Sequence, residues 1–301
     1  MKPEGNSRET RKQPEVVLLT GASTGLGLAI ARLLIDTDLR LILTARSESM
    51  GRFAAAGIEE TERVWLRPLN VTHEAERRQV IAEADGQWGG VDILINNAGQ
   101  AYRAVVEHVN EAERRAQLDV NFRAPMELIR LVLPHMRAQR HGRILNISSV
   151  GGMMAMPTMG IYSASKFALE GMTESLWYEV RPWNIKVSLV QPGFIKSSSF
   201  ERTRYTDLSE PASRDVKDPY FAHYQHMSRF IAKCMERATA SSDDVAKVVW
   251  KTMRHKNPPL RVAGTLDARL FALLRRWLPR RAYHALLYRG LPKVAEWGEA
   301  K

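Results

Sequence analysis

Tyr162 and Lys166 stand four residues apart in a helix-like segment, and together they offer proton-transfer chemistry. Residues at this spacing lie one above the other on a helix, so the phenol and the ammonium share a face. A free phenol has a pKa of ~10 and is a poor base at neutral pH. A neighbouring ammonium favours the phenolate, which would make Tyr162 a usable general acid or base. Because the spacing is common by chance, the pair needs support from other motifs.

Two serines could complete such a site. Ser148 and Ser149 follow the apolar run that begins at Ile144. The carboxyl ends of parallel strands are where ligands bind in α/β sheets. A hydroxyl there can hydrogen-bond the alkoxide that develops when a carbonyl is reduced. On these grounds alone, either serine fits.

A glycine-rich turn after the first apolar run predicts a phosphate-binding loop. The turn leads directly into a helix-like stretch. Gly21 permits a tight strand-to-helix turn, and Gly25 and Gly27 let the backbone approach a pyrophosphate. The N–H groups of the helix N-terminus then attract the anion. We expect a dinucleotide to contact Gly21, Ser23, Thr24, Gly25, Leu26 and Gly27.

The end of the second apolar run indicates which nicotinamide dinucleotide would bind. NAD sites place an acidic residue about 20 residues beyond the glycines, where it holds the ribose hydroxyls. Here Ala45 takes that position, and Arg46 and Ser47 follow it. A guanidinium and a hydroxyl would bind the 2′-phosphate that a carboxylate would repel. The sequence therefore predicts NADP(H), with Arg46 as the phosphate ligand.

Alternating apolar runs and helix-like segments must position these residues. Strands that alternate with helices predict a parallel sheet with right-handed crossovers. We expect a Rossmann-like, doubly wound α/β fold, with a mostly parallel seven-stranded sheet and helices on both faces. The predicted strands span residues 16–20, 41–44, 64–66, 93–95, 144–148, 187–190 and, more weakly, 260–262. The predicted helices span residues 26–35, 73–84, 111–133, 164–180 and 243–253.

The chain of 301 residues is long enough for one such domain with appendages. We expect a flexible N-terminal tail (1–13), a dinucleotide-binding catalytic domain (14–262) and a basic amphipathic helical tail (263–301). Residues 194–240 interrupt the alternation as an insertion. The net charge of +11 is concentrated near the end, where residues 251–301 hold twelve Lys and Arg against three Asp and Glu.

Several features favour a cytoplasmic protein. Cys234 is the single cysteine, so an internal disulfide is excluded and a reducing compartment fits. The opening residues lack the apolar core of a secretory signal. The uncharged stretch 144–165 contains Asn146 and Pro157, which makes a membrane span untenable.

Taken together, these motifs resemble the short-chain dehydrogenase/reductase family. Thr-Gly-x3-Gly-x-Gly at 20–27, Asn-Asn-Ala-Gly at 96–99 and Tyr-x3-Lys at 162–166 occur in the family's order. The resemblance covers about residues 14–262. It implies an NADP(H)-dependent oxidoreductase that interconverts a primary or secondary alcohol and a carbonyl, with the dinucleotide supplying the hydride.

The resemblance also implies the catalytic roles. It selects Ser149 over Ser148 to orient the substrate oxygen, and it makes Tyr162 the proton donor. Lys166 would also bind the nicotinamide ribose, and Asn121 would anchor a water in a proton relay to Lys166. The implied catalytic set is Asn121, Ser149, Tyr162 and Lys166.

Further dinucleotide contacts follow from the same resemblance. Asn70 stands where the family has an aspartate beside the adenine. Ser197 replaces the commoner threonine, whose hydroxyl holds the nicotinamide carboxamide together with a backbone amide in the family. No metal is implied. The contacts are Asn70, Val71, Asn97, Ala98, Gly99, Tyr162, Lys166, Pro192, Gly193, Ile195 and Ser197.

Thioether and aromatic residues dominate the predicted substrate side, and such side chains form adaptable apolar pockets. The resemblance places residues 194–240 over the active site as a mobile lid. We expect a small lipophilic alcohol or ketone, steroid-, retinoid- or acyl-like and typical of lipid metabolism. Its contacts would be Ser149, Met156, Tyr162 and Phe194. The alternative is a catalytically idle NADP-sensing or scaffold protein on the same fold.

A helical face in the insertion has two interpretations. Tyr220, Tyr224, Met227 and Ile231 recur at three-to-four spacing, which suits either a substrate wall or core packing.

The basic tail also leaves two interpretations open. Its apolar residues form one helical face, interleaved with arginines, and the face would either contact a membrane surface through residues 265–301 or pack on the enzyme's own body. Nucleic acid is not expected, because no nucleic-acid motif accompanies the charge. Family members often pair through the helices that carry Asn121 and Tyr162, so we expect a homodimer or homotetramer. The apolar face comprises Leu266, Leu270, Leu273, Leu274, Trp277 and Leu278.

Overall fold

The computed structural model describes residues 13–196 and 203–298, and in these ranges seven strands form one parallel sheet. The strands are β1 (Val16–Leu19), β2 (Arg40–Ala45), β3 (Val64–Pro68), β4 (Ile93–Asn96), β6 (Gly142–Ile147), β7 (Ile185–Gln191) and β9 (Arg261–Ala263). Their order across the sheet is β3-β2-β1-β4-β6-β7-β9. The crossover between β3 and β4 puts the switch in strand order beside β1, where ligands bind in such sheets. The predicted Rossmann-like fold is confirmed.

Helices cover both faces of this sheet. Alternate residues of β1 point to opposite sides, so that Val17 and Leu19 join one core and Val16 and Leu18 join the other. The helices α1 and α9 pack on the first core, and α3, α5 and α6 pack on the second. The helices of the domain are α1 (Gly25–Ile35), α2 (Gly51–Ala55), α3 (Glu74–Trp88), α4 (Glu111–Leu118), α5 (Ala124–Ala138), α6 (Gly160–Glu179) and α9 (Ser242–Arg254).

The helix predicted over 111–133 is two helices joined by a π-helical turn. A capping box at Asn110 and Glu113 starts α4. The turn Asp119–Arg123 then widens the backbone before α5 begins. Such turns are frequent at functional sites, and this one carries Asn121.

The strand β3 forms one edge of the sheet. The backbone carbonyl of Arg63 and the N–H of Leu69 hydrogen-bond to β2. The backbone groups of the alternate residues 64, 66 and 68 therefore point away from β2. The outward N–H of Val64 donates to Oγ1 of Thr61 at 3.0 Å, and that of Leu66 donates to Oε1 of Glu60 at 3.2 Å. The third outward position is Pro68, which has no N–H.

The insertion is folded against the domain rather than suspended above it. The short strand β5 (Tyr102–Arg103) pairs with β8 (Arg204–Tyr205), a contact that the sequence did not predict. The helices α7 (Ser209–Ala212) and α8 (Phe221–Glu236) follow. Tyr224 is buried, and its hydroxyl accepts a hydrogen bond from the N–H of Val105 at 3.1 Å. Tyr224 and Met227 on the apolar face of α8 therefore pack into the body, whereas Ile231 on the same face lines a cavity described below, so each interpretation holds for part of the face.

The basic tail forms α10 (Leu266–Trp277) and α11 (Arg280–Arg289). It packs on the body through Ala268, Phe271, Tyr283 and Leu287, while much of the apolar face named above stays exposed. One side of α10 thus packs on the body, and membrane contact through the exposed side stays a prediction. Within the described ranges, no helix combines the length and the apolar composition needed to cross a bilayer.

Gly27 marks the closest approach of α1 to the turn after β1. A Cβ there would overlap the carbonyl oxygen of Gly21 and the side-chain amide of Asn97. We therefore expect Gly27→Ala to lower the free energy of unfolding by about 1–3 kcal/mol through overpacking. Denaturant unfolding followed by circular dichroism measures this.

Gly51→Ala is the matched control, since a Cβ at position 51 meets nothing within 4 Å. It should change the free energy of unfolding by no more than about 0.5 kcal/mol. Equal losses in the two variants would show that the close approach at Gly27 is not the cause.

Candidate active site

Ser149, Tyr162 and Lys166 come together where α6 crosses the carboxyl end of β6. All three line one cavity of about 340 Å³, which we call the catalytic cavity. Nζ of Lys166 donates a hydrogen bond to the carbonyl of Ile147 at 2.9 Å and lies 6.0 Å from the ring centroid of Tyr162. The hydroxyls of Tyr162 and Ser149 are hydrogen-bonded to each other. Two of the three groups can thus contact one substrate oxygen.

The backbone keeps Ser149 in place. Its Oγ accepts a hydrogen bond from the N–H of Gly151 at 3.0 Å, which caps the short 3-10 turn that follows. Gly151 lies so close to the ring of Tyr162 that a Cβ at 151 would come within 2.9 Å of it. Ser148, the other serine considered, is buried and also lines the cavity wall.

The electrostatics of the pair differ from the sequence-based expectation. We expected the ammonium to lower the pKa of the phenol. Instead, burial raises the pKa of Tyr162, and the hydrogen bond with Ser149 opposes that rise only in part. Nζ of Lys166 donates a hydrogen bond to Ile147, and the ammonium is not among the groups that shift the pKa of Tyr162. The lysine's own charge is disfavoured by burial as well, which lowers the pKa of Lys166 to about 8.

Glu170 partly offsets that burial, and the sequence analysis missed it. It lies one turn beyond Lys166 on α6, is buried, and its charge raises the pKa of Lys166. Its carboxylate accepts hydrogen bonds from Nε2 of Gln191 at 2.8 Å and from Nε of Arg261 at 3.0 Å. The spacing of four from Lys166 was the available signal.

Asn121 supports the site through the backbone. It is fully buried, and its side chain exchanges two hydrogen bonds of 2.9 Å with the N–H and carbonyl of Gln100. Its Nδ2 also donates to Oγ of Ser165 at 3.0 Å. The amide thus ties α6 to the loop after β4. The water relay implied for Asn121 remains a prediction.

A second cavity, of about 580 Å³, surrounds the glycine-rich loop, and we call it the dinucleotide cavity. It shares Leu26, Asn97, Gly99 and Gln100 with the catalytic cavity, so the two form one continuous cleft. Thr24 precedes α1 without a side-chain cap, which leaves the first N–H groups of the helix for an anion. The predicted residues that line it are Gly21, Ser23, Thr24, Gly25, Leu26, Gly27, Arg46, Asn70, Val71, Asn97, Ala98 and Gly99.

The far end of the dinucleotide cavity carries two guanidinium groups. Arg46 lines it beside Ala45 and is held in an exposed ion pair with Glu48 at 3.0 Å. Arg52 and Ser49, which the sequence analysis missed, line the same end. Ser47 is exposed and is not part of the lining. The charge at this end is positive, and the carboxylate typical of NAD sites is replaced by Ala45.

The Pro-Gly turn after β7 borders the catalytic cavity. Gly193, Phe194 and Ile195 line it, while Pro192 lies behind and accepts a hydrogen bond from Val150. The N–H groups of Gly193 and Phe194 donate to Thr265 and Asp267, at 2.9 and 2.8 Å. Ser197 lies outside the described residues.

The substrate end of the catalytic cavity is apolar. Met156 and Phe194, both predicted, line it with Met159, Ile231 and Met235. Ile231 and Met235 belong to α8, so the insertion forms one wall of the cavity. Among the described residues, no group of three or more His, Cys, Asp or Glu is arranged to hold a metal ion.

Replacing Glu170 by Gln removes the carboxylate that favours the charged form of Lys166. The lysine should then lose its proton at a lower pH than its present value of about 8. An NMR titration of the Lys166 side chain measures the shift, and the alkaline limb of the pH–rate profile should move the same way.

Glu174→Gln is the matched control, because Glu174 also pairs with Arg261, at 2.8 Å, but is not among the groups that shift Lys166. It should leave the titration of Lys166 unchanged. An equal shift in both variants would mean that Arg261, and not the charge of Glu170, sets the lysine's pKa.

Comparison with known proteins agrees with this geometry. Residues 15–207 match the family model described as short chain dehydrogenase. The chain is 35% identical to the 3-ketodihydrosphingosine reductase of Bacteroides thetaiotaomicron, over 89% of this chain and 94% of that protein. It is 33% identical to retinol dehydrogenase 8 of Bos taurus, over 82% of this chain and 80% of that protein.

A solved structure gives the same picture. A metagenomic short-chain oxidoreductase in complex with NADP superimposes with a TM-score of 0.63 at 27% identity, over 83% of this chain and 96% of that one.

Proposed function

The chain belongs to the short-chain dehydrogenase family, and on that premise we propose that it is an NADP(H)-dependent oxidoreductase that interconverts a lipophilic alcohol and its carbonyl. One observation carries the proposal: Ser149, Tyr162 and Lys166 line a cavity that opens directly into the dinucleotide cavity. Membership of the family supports an oxidoreductase that uses a nicotinamide dinucleotide. The preference for NADP(H) and the nature of the substrate are the parts we propose.

The described residues fit the dinucleotide. The uncapped N-terminus of α1 suits a pyrophosphate, and the glycine-rich loop brings the backbone close to it. When bound, NADP(H) would supply or accept the hydride. The protein's own residues then need only bind, orient and move a proton.

In the direction of reduction, Ser149 would hold the carbonyl oxygen through its hydroxyl, and Tyr162 would donate a proton to that oxygen. The raised pKa of Tyr162 keeps the phenol protonated and ready to donate. Lys166, positively charged below a pH of about 8, would stabilise the phenolate that remains. Oxidation would follow the reverse path.

The preference for NADP(H) is supported by charge. Arg46 and Arg52 flank the end of the cavity where the adenosine ribose would lie, beside the uncharged Ala45. A guanidinium binds a phosphate through charge-assisted hydrogen bonds. To do so, Arg46 would exchange its exposed pairing with Glu48, which costs little.

The apolar lining supports a lipophilic substrate. Met156, Met159, Met235 and Phe194 form much of the lining beyond Ser149, which also includes Arg103. Two relatives are named for the reduction of 3-ketodihydrosphingosine and for the dehydrogenation of retinol. We therefore propose a lipid-derived substrate, steroid-, retinoid- or acyl-like.

Assembly as a homodimer or homotetramer in the cytoplasm is part of the proposal. Met126 on α5 and Phe167 and Tyr178 on α6 are exposed, with 36%, 37% and 61% of their surface accessible. Apolar residues on those two helices suit self-association.

The first test is NADPH oxidation with a panel of steroid ketones, retinal, 3-oxoacyl thioesters and aliphatic ketones. Tyr162→Phe should lower kcat by about 10²–10⁴-fold, because it removes the proton donor and leaves the cavity intact. Ser149→Ala should lower kcat by about 10²-fold or more. NADPH binding, followed by fluorescence, should persist in both variants. Binding without turnover of any carbonyl in the wild type would favour an idle NADP sensor.

The second test addresses the 2′-phosphate. Arg46→Ala should raise KM for NADPH by about 10- to 100-fold, the loss of one or two charge-assisted hydrogen bonds, and leave KM for NADH unchanged. Glu48→Gln frees Arg46 without removing it, so the preference for NADPH should persist or increase. A wild type that uses NADH as well as NADPH would contradict the cofactor assignment.

A further inference from the structure

We propose that the outer face of α10 docks on an anionic lipid bilayer and that lipophilic substrate passes from the bilayer to the catalytic cavity between α8 and α10. The passage rests on the substrate class proposed above. The docking does not.

The outer face of α10 is an apolar stripe. Leu266, Leu270, Leu273 and Trp277 fall on one side of the helix and are 75%, 54%, 46% and 73% exposed. Contiguous exposed apolar residues of this size mark interaction surfaces. Trp277 stands at one end of the stripe, and tryptophan favours the bilayer interface.

The stripe is not left over from packing on the body, because another side of α10 does that. Ala268 is fully buried, and Phe271 packs against Val150, Met153 and Met154 beside the catalytic serine. Arg275 also turns inward: its guanidinium hydrogen-bonds the carbonyl of Met153 and lies over the ring of Phe167. The helix is therefore held firmly, with the stripe outward.

The surroundings of the stripe are basic. Arg269 and Arg276 flank it on α10, and Arg280 and Arg281 begin α11, all four exposed. The carboxylate of Asp267 is engaged by the N–H of Phe194. Each basic residue near an anionic membrane surface contributes about 1 kcal/mol of binding free energy. Like charges would oppose the pairing of this face with a second copy of itself, so a bilayer is the better occupant.

A side cavity lies between the stripe and the catalytic cavity. This cavity, of about 460 Å³, lies between the end of α8 and the start of α10. Leu266, the first residue of the stripe, forms part of its wall. Phe194 lines both the side cavity and the catalytic cavity. Phe194 therefore stands between the two cavities, and the proposed passage runs past its side chain.

Basic residues also stand at the mouth of the side cavity. Lys233 in the last turn of α8 and Arg237, which follows the helix, line it together with Leu266, and both basic residues are exposed. Anionic headgroups would pair with these side chains while the stripe is buried among the acyl chains. The opening would then face the bilayer.

The docking is tested by co-sedimentation of the full chain with vesicles of phosphatidylcholine alone or with phosphatidylserine. We expect binding to the anionic vesicles, and we expect Leu270→Glu to weaken it by about tenfold or more, because it places a charge in the buried stripe. Leu208→Glu adds the same charge at a leucine of similar exposure, 52%, which precedes α7 in the insertion, and it should bind as the wild type does. Wild-type protein that stays in the supernatant, or equal losses in both variants, would overturn the proposal.

Trp277 provides a second, independent signal. Brominated lipids should quench part of the tryptophan fluorescence of the wild type, and Trp277→Phe should abolish that part. Quenching that persists in Trp277→Phe would place the contact elsewhere. Self-association that Leu270→Glu abolishes, without vesicle binding by the wild type, would assign the stripe to a second copy of the chain.

The passage is tested with two ketones, one short and water-soluble and one long-chain and held in vesicles. Leu270→Glu should lower kcat/KM by about tenfold for the vesicle-held ketone, in line with its loss of vesicle binding, and leave kcat/KM for the soluble ketone unchanged. Equal losses on both would refute the passage. Turnover of neither ketone by the wild type would refute the proposed function, while the vesicle assays would still decide the docking.

Discussion

The hydrogen bond from Nζ of Lys166 to the carbonyl of Ile147 is the contact on which the candidate site depends. Ile147 ends β6, so the bond fixes the rotation of α6 over the carboxyl end of that strand and turns Tyr162 toward Ser149. Because the ammonium is buried, its charge must be offset, and the carboxylate of Glu170 does so from the next turn. Glu170 is held in turn by Gln191 of β7 and Arg261 of β9. Three strands thus support what the sequence presents as a four-residue motif on one helix.

The dinucleotide cavity and the catalytic cavity meet at the same edge of the sheet. Nδ2 of Asn97 donates to the carbonyls of Thr20 and Gly21, at 2.9 and 3.1 Å, which fixes the glycine-rich turn against the loop after β4. Asn97 also lines both halves of the cleft. On the opposite side, Thr265 and Asp267 hold the turn after β7. The start of α10 therefore belongs to the frame of the active site, although the sequence suggested a separate tail.

The sequence predicted those parts of the fold and of the candidate site that depend on residues close together in the chain. Apolar runs located the strands of the main sheet, since buried parallel strands are apolar on both faces. Motif spacing located the residues that line the cleft.

The sequence could not locate the pairing of β5 with β8, which have two residues each and lie about a hundred positions apart. It also could not locate the π-helical turn at Asn121. Ser49 and Arg52 escaped because their approach to the cavity depends on how the chain turns after β2. Much of the apolar face expected for the tail stays exposed, because α10 packs on the body through Ala268 and Phe271, which lie outside that face. A motif does not show burial either, and burial raises the pKa of Tyr162, which the sequence analysis expected to be lowered.

The edge strand β3 bears on the behaviour of the protein at high concentration. An open strand edge invites pairing with other chains, the first step of β-aggregation. Here the donors that such pairing would use are already engaged by Thr61 and Glu60, and the third position is a proline. A strand from another molecule would have to displace these local bonds before adding to the sheet. Strand addition at this edge is consequently disfavoured, because it would cost these local bonds.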